Sequence, residues 1–284
     1  MVIDLHVHSN RSDGSDSLES LFDKARGLGV KRFALTDHDV LDKLELAVKL
    51  AKSYGIDLIP GVEVSAFDEK RDRKVHILGL NIDYNDIALN NFLENIREQR
   101  QYAAKQMVAR IKTLGYPLEW DEVVSLAGET GCVFKTHIMQ SLINNGICED
   151  LHGSLHKKLF SKGGIACVPL DYPEAEDAVI AIKNAKGMAV IAHPALYNNK
   201  ELISSLIPFG LDGVEVFHPS HTQQDTDELL TIARQNNLFI TGGSDYHGNY
   251  GNSHIHIGDY GISEDAYHSV TYFNQKHQIG GPHE

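Results

Sequence analysis

Short hydrophobic runs separated by amphipathic stretches open the chain. The runs occupy residues 3–9, 32–36, 58–64 and 74–80. They are rich in Val, Ile, Leu and Phe, as expected for strands of a buried sheet. Apolar residues spaced three and four apart predict helices at about 18–28 and 41–54, each followed by a glycine that can end it. The order of strand, helix and strand indicates the α/β class.

Within residues 86–164 the pattern becomes helical throughout. Apolar residues from Leu89 to Leu114 repeat at three- and four-residue spacings, which predicts one long helix that ends before Gly115. Shorter helices are expected at about 120–127, 136–145 and 155–161. Because no strand pattern interrupts these helices, the segment is predicted to be a small all-helical insert.

Strand patterns return after the insert, so the α/β domain is predicted in two parts, 1–85 and 165–284. The later strands are expected at 187–192, 211–217 and 238–241. Helices at about 200–208 and 223–236 separate them. The tail after about residue 262 is expected to be frayed.

The first strand carries polar side chains at a regular spacing. Residues two apart in a strand lie on one face, so Asp4, His6 and His8 point one way and their apolar neighbours the other. Two imidazoles at this spacing on a rigid element form a metal-ligand geometry. A pair of half-buried core histidines is the competing interpretation.

Later strands finish on the same kinds of residue. In a closed parallel βα barrel, the C-terminal ends of all strands face one mouth, where the active site is built. The residues that these ends supply are His6, His8, Asp13, Asp37, His38, Glu63, His76, His193, His218, His221, Asp245 and His247. Imidazole and carboxylate without thiolate suit Zn, Mn or Fe(II), and at least nine candidate ligands are too many for one ion. We therefore expect two or three divalent ions at the barrel mouth.

Some members of this set also fit a purely structural role. Asp13 could be a solvated loop or capping residue, and His76 could be a satisfied core residue. Glu63 is a stronger candidate, because a buried glutamate in an apolar strand needs a charge partner, which two bridged cations provide. Asp37 could be a metal ligand or could accept a hydrogen bond from an imidazole N–H, and the second role is favoured. Seven further histidines lack a strand-end position and are predicted to be solvated or local: His152, His156, His254, His256, His268, His277 and His283.

Composition narrows the functional classes. The 284 residues include 26 Lys and Arg and 39 Asp and Glu, which gives a formal charge of −13. This charge disfavours a role in coating nucleic acid or in binding an anionic membrane surface. Three cysteines without C-x-x-C pairing disfavour a disulfide framework or a thiolate zinc site. The chain has no signal-peptide pattern and no apolar run of about 18 residues, so a cytoplasmic location without a membrane partner is expected.

The motifs also resemble those of the PHP (polymerase and histidinol phosphatase) phosphoesterases. They are Asp-Leu-His-Val-His-Ser at 4–9, Ser-Asp-Gly at 12–14, Thr-Asp-His-Asp at 36–39, Pro-Gly-Val-Glu at 60–63, His76, Ala-His-Pro at 192–194 and Gly-Ser-Asp-Tyr-His at 243–247. The resemblance implies a distorted (β/α)7 barrel with a trinuclear site. The implied metal ligands are His6, His8, Asp13, His38, Glu63, His76, His193, Asp245 and His247. All of these except His76 are also expected to be catalytic.

The insert resembles one branch of that family. Its segment Gly131-x-x-Phe134-Lys135-Thr136-His137 is similar to a Gly-Arg-Pro-His segment in nucleoside 3′,5′-bisphosphate phosphatases and 5′→3′ RNA-trimming exoribonucleases. In that branch the segment lies over the metal site and binds phosphate, and a cation at a helix N-terminus suits an anion. This implies phosphate-binding roles for Lys135 and His137. Lys135 replaces the usual Arg, which removes the bidentate fork but keeps the charge.

Two further features bear on the substrate site. Ala195 stands where the family often has Gly, which could narrow the approach to the metals or alter a turn. Arg97 and Arg100 on the long helix are weaker candidates for substrate contact, because basic residues there usually mark a solvated face.

The expected activity is hydrolysis of a phosphate monoester of a small nucleotide of the 3′,5′-bisphosphate type, by a metal-bound hydroxide. Ser220 and His221 are expected to position substrate or protonate the leaving group. One alternative is 5′→3′ trimming of short RNA ends; no stable nucleic-acid partner is expected, since few aromatic residues interleave with basic ones in the insert. A metal-dependent amidohydrolase is the alternative from another reaction class, and it leaves Glu63 and Lys135 without a role.

Overall fold

The computed structural model describes residues 2–268. The strands are β1 (Val2–Val7), β2 (Arg32–Leu35), β3 (Asp57–Asp68), β4 (Arg73–Leu80), β5 (Met188–Ile191), β6 (Gly213–Phe217), β7 (Phe239–Gly242) and β8 (Ile262–Ser263). The helices are α1 (Leu18–Gly27), α2 (Leu44–Ser53), α3 (Ile87–Thr113), α4 (Trp120–Ser125), α5 (Lys135–Asn144), α6 (Ser154–Phe160), α7 (Ala175–Asn184), α8 (Ile203–Leu206) and α9 (Gln223–Gln235).

The strands form a nearly closed barrel in the order β7-β6-β5-β4-β3-β2-β1-β8. The two sides meet where the His8 backbone N–H donates to the Tyr246 carbonyl oxygen at 2.9 Å. The predicted PHP-type barrel is therefore confirmed. The assumption that all its strands are parallel is wrong, because β4 runs antiparallel to both β3 and β5. Only residues 69–72 join β3 to β4, which is too short for a parallel crossover but suits a hairpin.

Of three hydrophobic clusters, one lies among the strands of the barrel, around Ile3, Leu5 and Leu78, and the other two correspond to the packing of helices on the barrel and to the insert. Helices pack on the sheet through one cluster, to which the start of α3 contributes Leu89 and Leu93. The second cluster joins α4, α5 and α6 to the later part of α3, including Met107 and Ile111. The long helix is thus shared by both cores, which ties the insert to the barrel.

The four insert helices agree with the predicted positions to within a few residues, and no strand lies among them. The domain limits themselves stay a prediction. Helix α7 escaped the sequence analysis, although its buried residues Ala175, Ala178, Val179 and Ile182 follow helical spacing.

The chain after residue 262 is not wholly frayed, because β8 pairs with β1. Residues 269–284, with His277 and His283, lie outside the described residues. No helix in the described part of the chain is long and apolar enough to span a bilayer.

Candidate metal centre

The loop after β1 is wound tightly around the end of that strand. A Cβ at Gly14 would lie 2.8 Å from the His8 carbonyl oxygen, so the loop requires glycine there. Asp37 accepts hydrogen bonds from the Ser9 backbone N–H at 2.8 Å and from the Ser9 and Ser12 hydroxyls at 2.6 Å each. The prediction that Asp37 accepts from an imidazole is therefore wrong. Its carboxylate instead fixes the loop that carries Asp13.

Glu63 lies at the centre of the barrel mouth. Its side chain is only 1% exposed and faces five imidazoles. The nitrogen–oxygen distances are 3.1 Å to His6, 3.2 Å to His8, 3.3 Å to His38, 2.8 Å to His76 and 3.0 Å to His193. Burial by itself raises the pKa of Glu63, but the neighbouring imidazoles, His38 first, hold it well below its usual value. A permanently charged carboxylate shared by several imidazoles suits a position between cations.

The reversed direction of β4 explains how His76 reaches this site. His76 lies in the first half of β4 and pairs with Ser65 of β3. Because β4 is antiparallel, its beginning, rather than its end, lies at the same mouth as the C-terminal ends of its parallel neighbours. The prediction placed the right residue at the mouth with the wrong strand direction.

Asp13 and Asp245 supply the other carboxylates. The Asp245 Oδ1 atom lies 3.3 Å from His6 Nε2, 3.2 Å from His8 Nε2 and 3.5 Å from His247 Nδ1. The Asp13 Oδ1 atom lies 3.3 Å from His247 Nε2. Burial alone raises the pKa of both carboxyls, but the imidazoles around them keep both pKa values well below the usual range. The structure therefore brings all nine predicted ligands together.

Eight of these side chains, all except His193, form three overlapping groups in which candidate ligand atoms lie within 4.8 Å of one another. The groups are His8, Asp13, His38 and His247; His6, His8, Glu63 and Asp245; and His38, Glu63 and His76. Ligands about 2.0–2.1 Å from a tetrahedral cation are separated by about 3.3 Å, close to many of the distances above. Several buried atoms also lack hydrogen-bond partners, including His6 Nε2, both nitrogens of His8 and Asp13 Oδ1. In chemistry and spacing, this part of the described chain fits divalent cations.

Two of the candidate ligands have a strained backbone. His193 has φ of 28° and Asp245 has φ of 50°, a left-handed conformation that residues other than glycine rarely adopt. Each such residue costs about 1–3 kcal/mol and persists only where the surroundings hold it. Both strained residues are candidate metal ligands.

Glu215 is a functional residue that the sequence analysis missed. It is fully buried in β6, where its Oε1 lies 3.0 Å from His6 Nδ1 and its Oε2 accepts the His193 backbone N–H at 2.7 Å. An acceptor on Nδ1 places the proton there and leaves His6 Nε2 free to bind a cation. The available signal was a glutamate between Val214 and Val216, the same pattern that singled out Glu63.

A cavity of about 300 Å³ opens beside the metal centre. Asp13, His38 and His76 line its inner side, and the insert contributes Lys135 and other residues to its outer side. Lys74 also lies on the wall, two residues before His76. Burial, followed by the positive charges of Lys135 and Arg100, lowers the pKa of Lys74 to about 8. Among residues 2–268, neither Lys74 nor Lys135 has a carboxylate within 4 Å, so both face the cavity without a counter-ion.

A PHP domain model matches residues 4–196, about two thirds of the chain. The chain belongs to the PHP family. This match confirms the family that the sequence motifs predicted.

Individual relatives agree with this assignment. The chain is 38% identical over 251 residues to a phosphoribosyl 1,2-cyclic phosphate 1,2-diphosphodiesterase from Eggerthella lenta, covering 88% of this chain and 96% of that protein. It is 35% identical over 250 residues to a 3′,5′-nucleoside bisphosphate phosphatase from Chromobacterium violaceum, covering 86% of this chain and 87% of that protein. A solved structure of a metal-dependent phosphoesterase from Bifidobacterium adolescentis has a TM-score of 0.87 at 29% identity and covers 95% of both chains. The protein is a metal-dependent phosphoesterase of the PHP family, as predicted.

The predicted substrate-binding residues of this PHP protein divide into two sets. Lys135 lines the cavity, whereas His137, Ser220 and His221 are not among the lining residues. His137 is fully buried, and its Nδ1 accepts the Phe134 backbone N–H at 3.1 Å. Ser220 contacts His218 Nδ1 at 2.7 Å, and His221 Nδ1 donates to the Val216 carbonyl oxygen at 2.9 Å. The substrate roles of these three residues stay predictions.

Three insert residues depart from their expected surroundings. Arg100 does not lie on a solvated face, because it pairs with Asp39 and its side chain is only 12% exposed. His152 is exposed as predicted, but it and the half-buried His156 both line the cavity. Burial, followed by the charge of His152, lowers the pKa of His156 to about 4. Long-range packing of the insert onto the barrel puts these side chains near the site.

Proposed function

We propose that this enzyme hydrolyses a phosphate monoester of a small nucleotide that carries a second phosphate, of the 3′,5′-bisphosphate type. One observation carries the proposal: the metal-centre residues and two ammonium groups without counter-ions line the same cavity. A substrate with two phosphates can meet both features at once. The first phosphate would lie at the metal centre, and the second would neutralise Lys74 and Lys135.

The proposed metal ligands are the nine residues gathered at the mouth: His6, His8, Asp13, His38, Glu63, His76, His193, Asp245 and His247. The three overlapping groups formed by eight of them, with His193 3.0 Å from the shared Glu63, support two or three divalent ions, with Mn, Fe or Zn as the candidates. When bound, such ions lower the pKa of water to give a nucleophile and neutralise charge on phosphoryl oxygens. Of the nine, all but His76 are proposed to act directly in catalysis.

The protein's own residues prepare the site for this chemistry. Glu215 holds the proton of His6 on Nδ1, and Asp37 fixes the loop that positions Asp13. Lys74 and Lys135 supply local positive charge in a chain whose formal charge is −13, so an anionic substrate is attracted to the cavity rather than to the surface. The low dielectric constant of the protein around the cavity strengthens that attraction.

A second candidate substrate is phosphoribosyl 1,2-cyclic phosphate, because a relative with that activity is 38% identical across 88% of this chain. This molecule is a ribose with a phosphate at one end and a cyclic phosphate at the other, so it offers the same two anionic groups. Trimming of short RNA ends is a further alternative, and it requires room for additional nucleotides. An amidohydrolase activity has no use for Lys74 and Lys135 facing the cavity without counter-ions.

The test is a substrate panel with Mn-loaded protein and a His8→Ala variant as the inactive control. The panel contains 3′-phosphoadenosine 5′-phosphate, phosphoribosyl 1,2-cyclic phosphate, a 5′-phosphorylated RNA oligomer and a set of amides. Phosphate release from the bisphosphate with the highest kcat/KM supports the proposal. Preferred turnover of the cyclic phosphate, the RNA or an amide would replace it with the corresponding alternative.

Lys74→Met and Lys135→Met test the second-phosphate contact, with Lys158→Met on the exposed side of α6 as a matched control. Each cavity variant is expected to raise KM about tenfold or more for the bisphosphate, because a charge-assisted hydrogen bond contributes about 1.5–3 kcal/mol. Neither should change KM for p-nitrophenyl phosphate, which has no second phosphate. An equal KM increase for both esters would contradict the assignment.

A further inference from the structure

The turn after β5 is built as a rigid element. The left-handed His193 begins it, and the Leu196 backbone N–H donates to the His193 carbonyl oxygen at 2.9 Å. The Asn199 backbone N–H donates to the Pro194 carbonyl oxygen at 2.6 Å, and its buried side chain donates to the Lys74 carbonyl oxygen at 2.7 Å. These bonds tie the turn to β4 and fix the direction of the residue at its tip.

Tyr197 is that residue, and its ring packs on two candidate metal ligands. Its centroid lies 5.4 Å from that of His76 and 5.5 Å from that of His193, with ring planes at 71° and 75°. Such edge-on packing is a favourable aromatic arrangement. Tyr197 also lines the cavity beside the metal centre.

The hydroxyl of Tyr197 is available to a ligand. No group in the described part of the chain forms a hydrogen bond with it, although its ring is packed and its turn is fixed. A phenol hydroxyl can donate a hydrogen bond to an anionic oxygen. A positioned donor without a partner, at the edge of a cavity beside the candidate metal centre, is suited to an oxygen of the substrate.

We propose that Tyr197 is a catalytic residue that donates a hydrogen bond to a non-bridging oxygen of the scissile phosphate. This inference rests on the proposed phosphoesterase function of the same site. A donor held in place before the reaction stabilises the charge that builds on the phosphoryl oxygens in the transition state. Its effect is therefore expected mainly in kcat.

The test compares Tyr197→Phe with wild type and with Tyr102→Phe, in which the altered side chain is 67% exposed on α3. Phenylalanine keeps the ring contacts with His76 and His193 and removes only the hydroxyl. With Mn-loaded protein, we expect kcat to fall about 100-fold for both p-nitrophenyl phosphate and the bisphosphate nucleotide. Metal content and melting temperature should stay unchanged, and Tyr102→Phe should match wild type.

A binding measurement makes the test independent of turnover. Calorimetric titration with inorganic phosphate is expected to show about tenfold weaker binding by Mn-loaded Tyr197→Phe, the loss expected for one hydrogen bond to a charged group. Wild-type kcat and phosphate affinity in the variant would overturn the proposal. A fall in kcat seen only with the bisphosphate nucleotide, which has the poorer leaving group, would also overturn it, because the hydroxyl would then act on the leaving oxygen. A fall in kcat that is explained by reduced metal content would overturn it as well. Inactivity of the wild-type protein on both esters would refute the proposed function, whereas the phosphate titration would still decide the role of Tyr197.

Discussion

A buried ion pair joins the insert to the barrel. Asp39 is fully buried and follows His38 directly; it accepts the Ser65 backbone N–H at 2.7 Å, the Ser65 hydroxyl at 2.8 Å and the Arg100 guanidinium. Arg100 comes from α3 and stacks on the Phe134 ring with its guanidinium carbon 4.4 Å from the centroid. The pair therefore holds the segment before Lys135 against the barrel mouth.

Removing the guanidinium should cost far more than removing an exposed charge on the same helix. Arg100→Met leaves the Asp39 carboxylate buried with Ser65 as its remaining partner, and breaking a buried pair in this way costs about 3–5 kcal/mol. For a chain of this size, that loss lowers the melting temperature by about 5–8 °C. Arg97→Met breaks only a surface pair with the half-exposed Glu94, so it should cost no more than about 0.5 kcal/mol.

Thermal unfolding of both variants, metal-free, followed by circular dichroism, measures this difference. The double variant Asp39→Asn/Arg100→Met should recover part of the loss, because no unpaired charge remains in the interior. If Arg100→Met melted within about 1 °C of Arg97→Met, the pair would not stabilise the junction and the reasoning would be refuted.

Three other perturbations test the site. Glu63→Gln removes the charge shared by five imidazoles, so mass spectrometry of the metal content should show loss of at least one bound Mn per chain; full occupancy would contradict the shared-ligand role. Lys74, with its pKa lowered to about 8, is charged below that pH and neutral above it, so the ratio of kcat/KM for the bisphosphate to that for p-nitrophenyl phosphate should fall as pH rises through about 8. Lys74→Met should give a lower ratio that is independent of pH in this range. If the ratio fell with pH in Lys74→Met as it does in wild type, a group other than Lys74 would be responsible. Asp37→Ala frees the loop held through Ser9 and should weaken Mn binding about tenfold or more by calorimetry, as expected for loss of a residue that orients a ligand-bearing element; unchanged affinity would show that the loop holds its shape without it.

The clustering of the candidate metal ligands was predictable because most of them follow or end hydrophobic runs in the sequence. The spacing of His6 and His8 follows from the two-residue repeat of a strand, and a glutamate such as Glu63 in an apolar run requires a charged or hydrogen-bonding partner. Glu215 obeys the same logic and could have been found. Its role became clear only when the barrel placed it beside His6.

Contacts that depend on packing between distant segments were not predictable. A local pattern marks Arg100 as a helix-surface residue, and only the docking of α3 on the barrel brings it to Asp39. The direction of β4 follows from a short hairpin rather than from its composition, so His76 was correctly chosen while its strand was wrongly oriented. Asp37 was assigned to an imidazole because it adjoins His38, but the loop hydroxyls are the donors that reach it.

The most direct test of the metal-dependent mechanism is a titration of chelator-treated protein with Mn, followed by phosphate release from 3′-phosphoadenosine 5′-phosphate. We predict no activity without metal and full activity after two or three equivalents per chain, with Glu63→Gln failing to reach it. Full phosphate release by metal-free protein, or activity in Glu63→Gln equal to that of wild type, would contradict this mechanism.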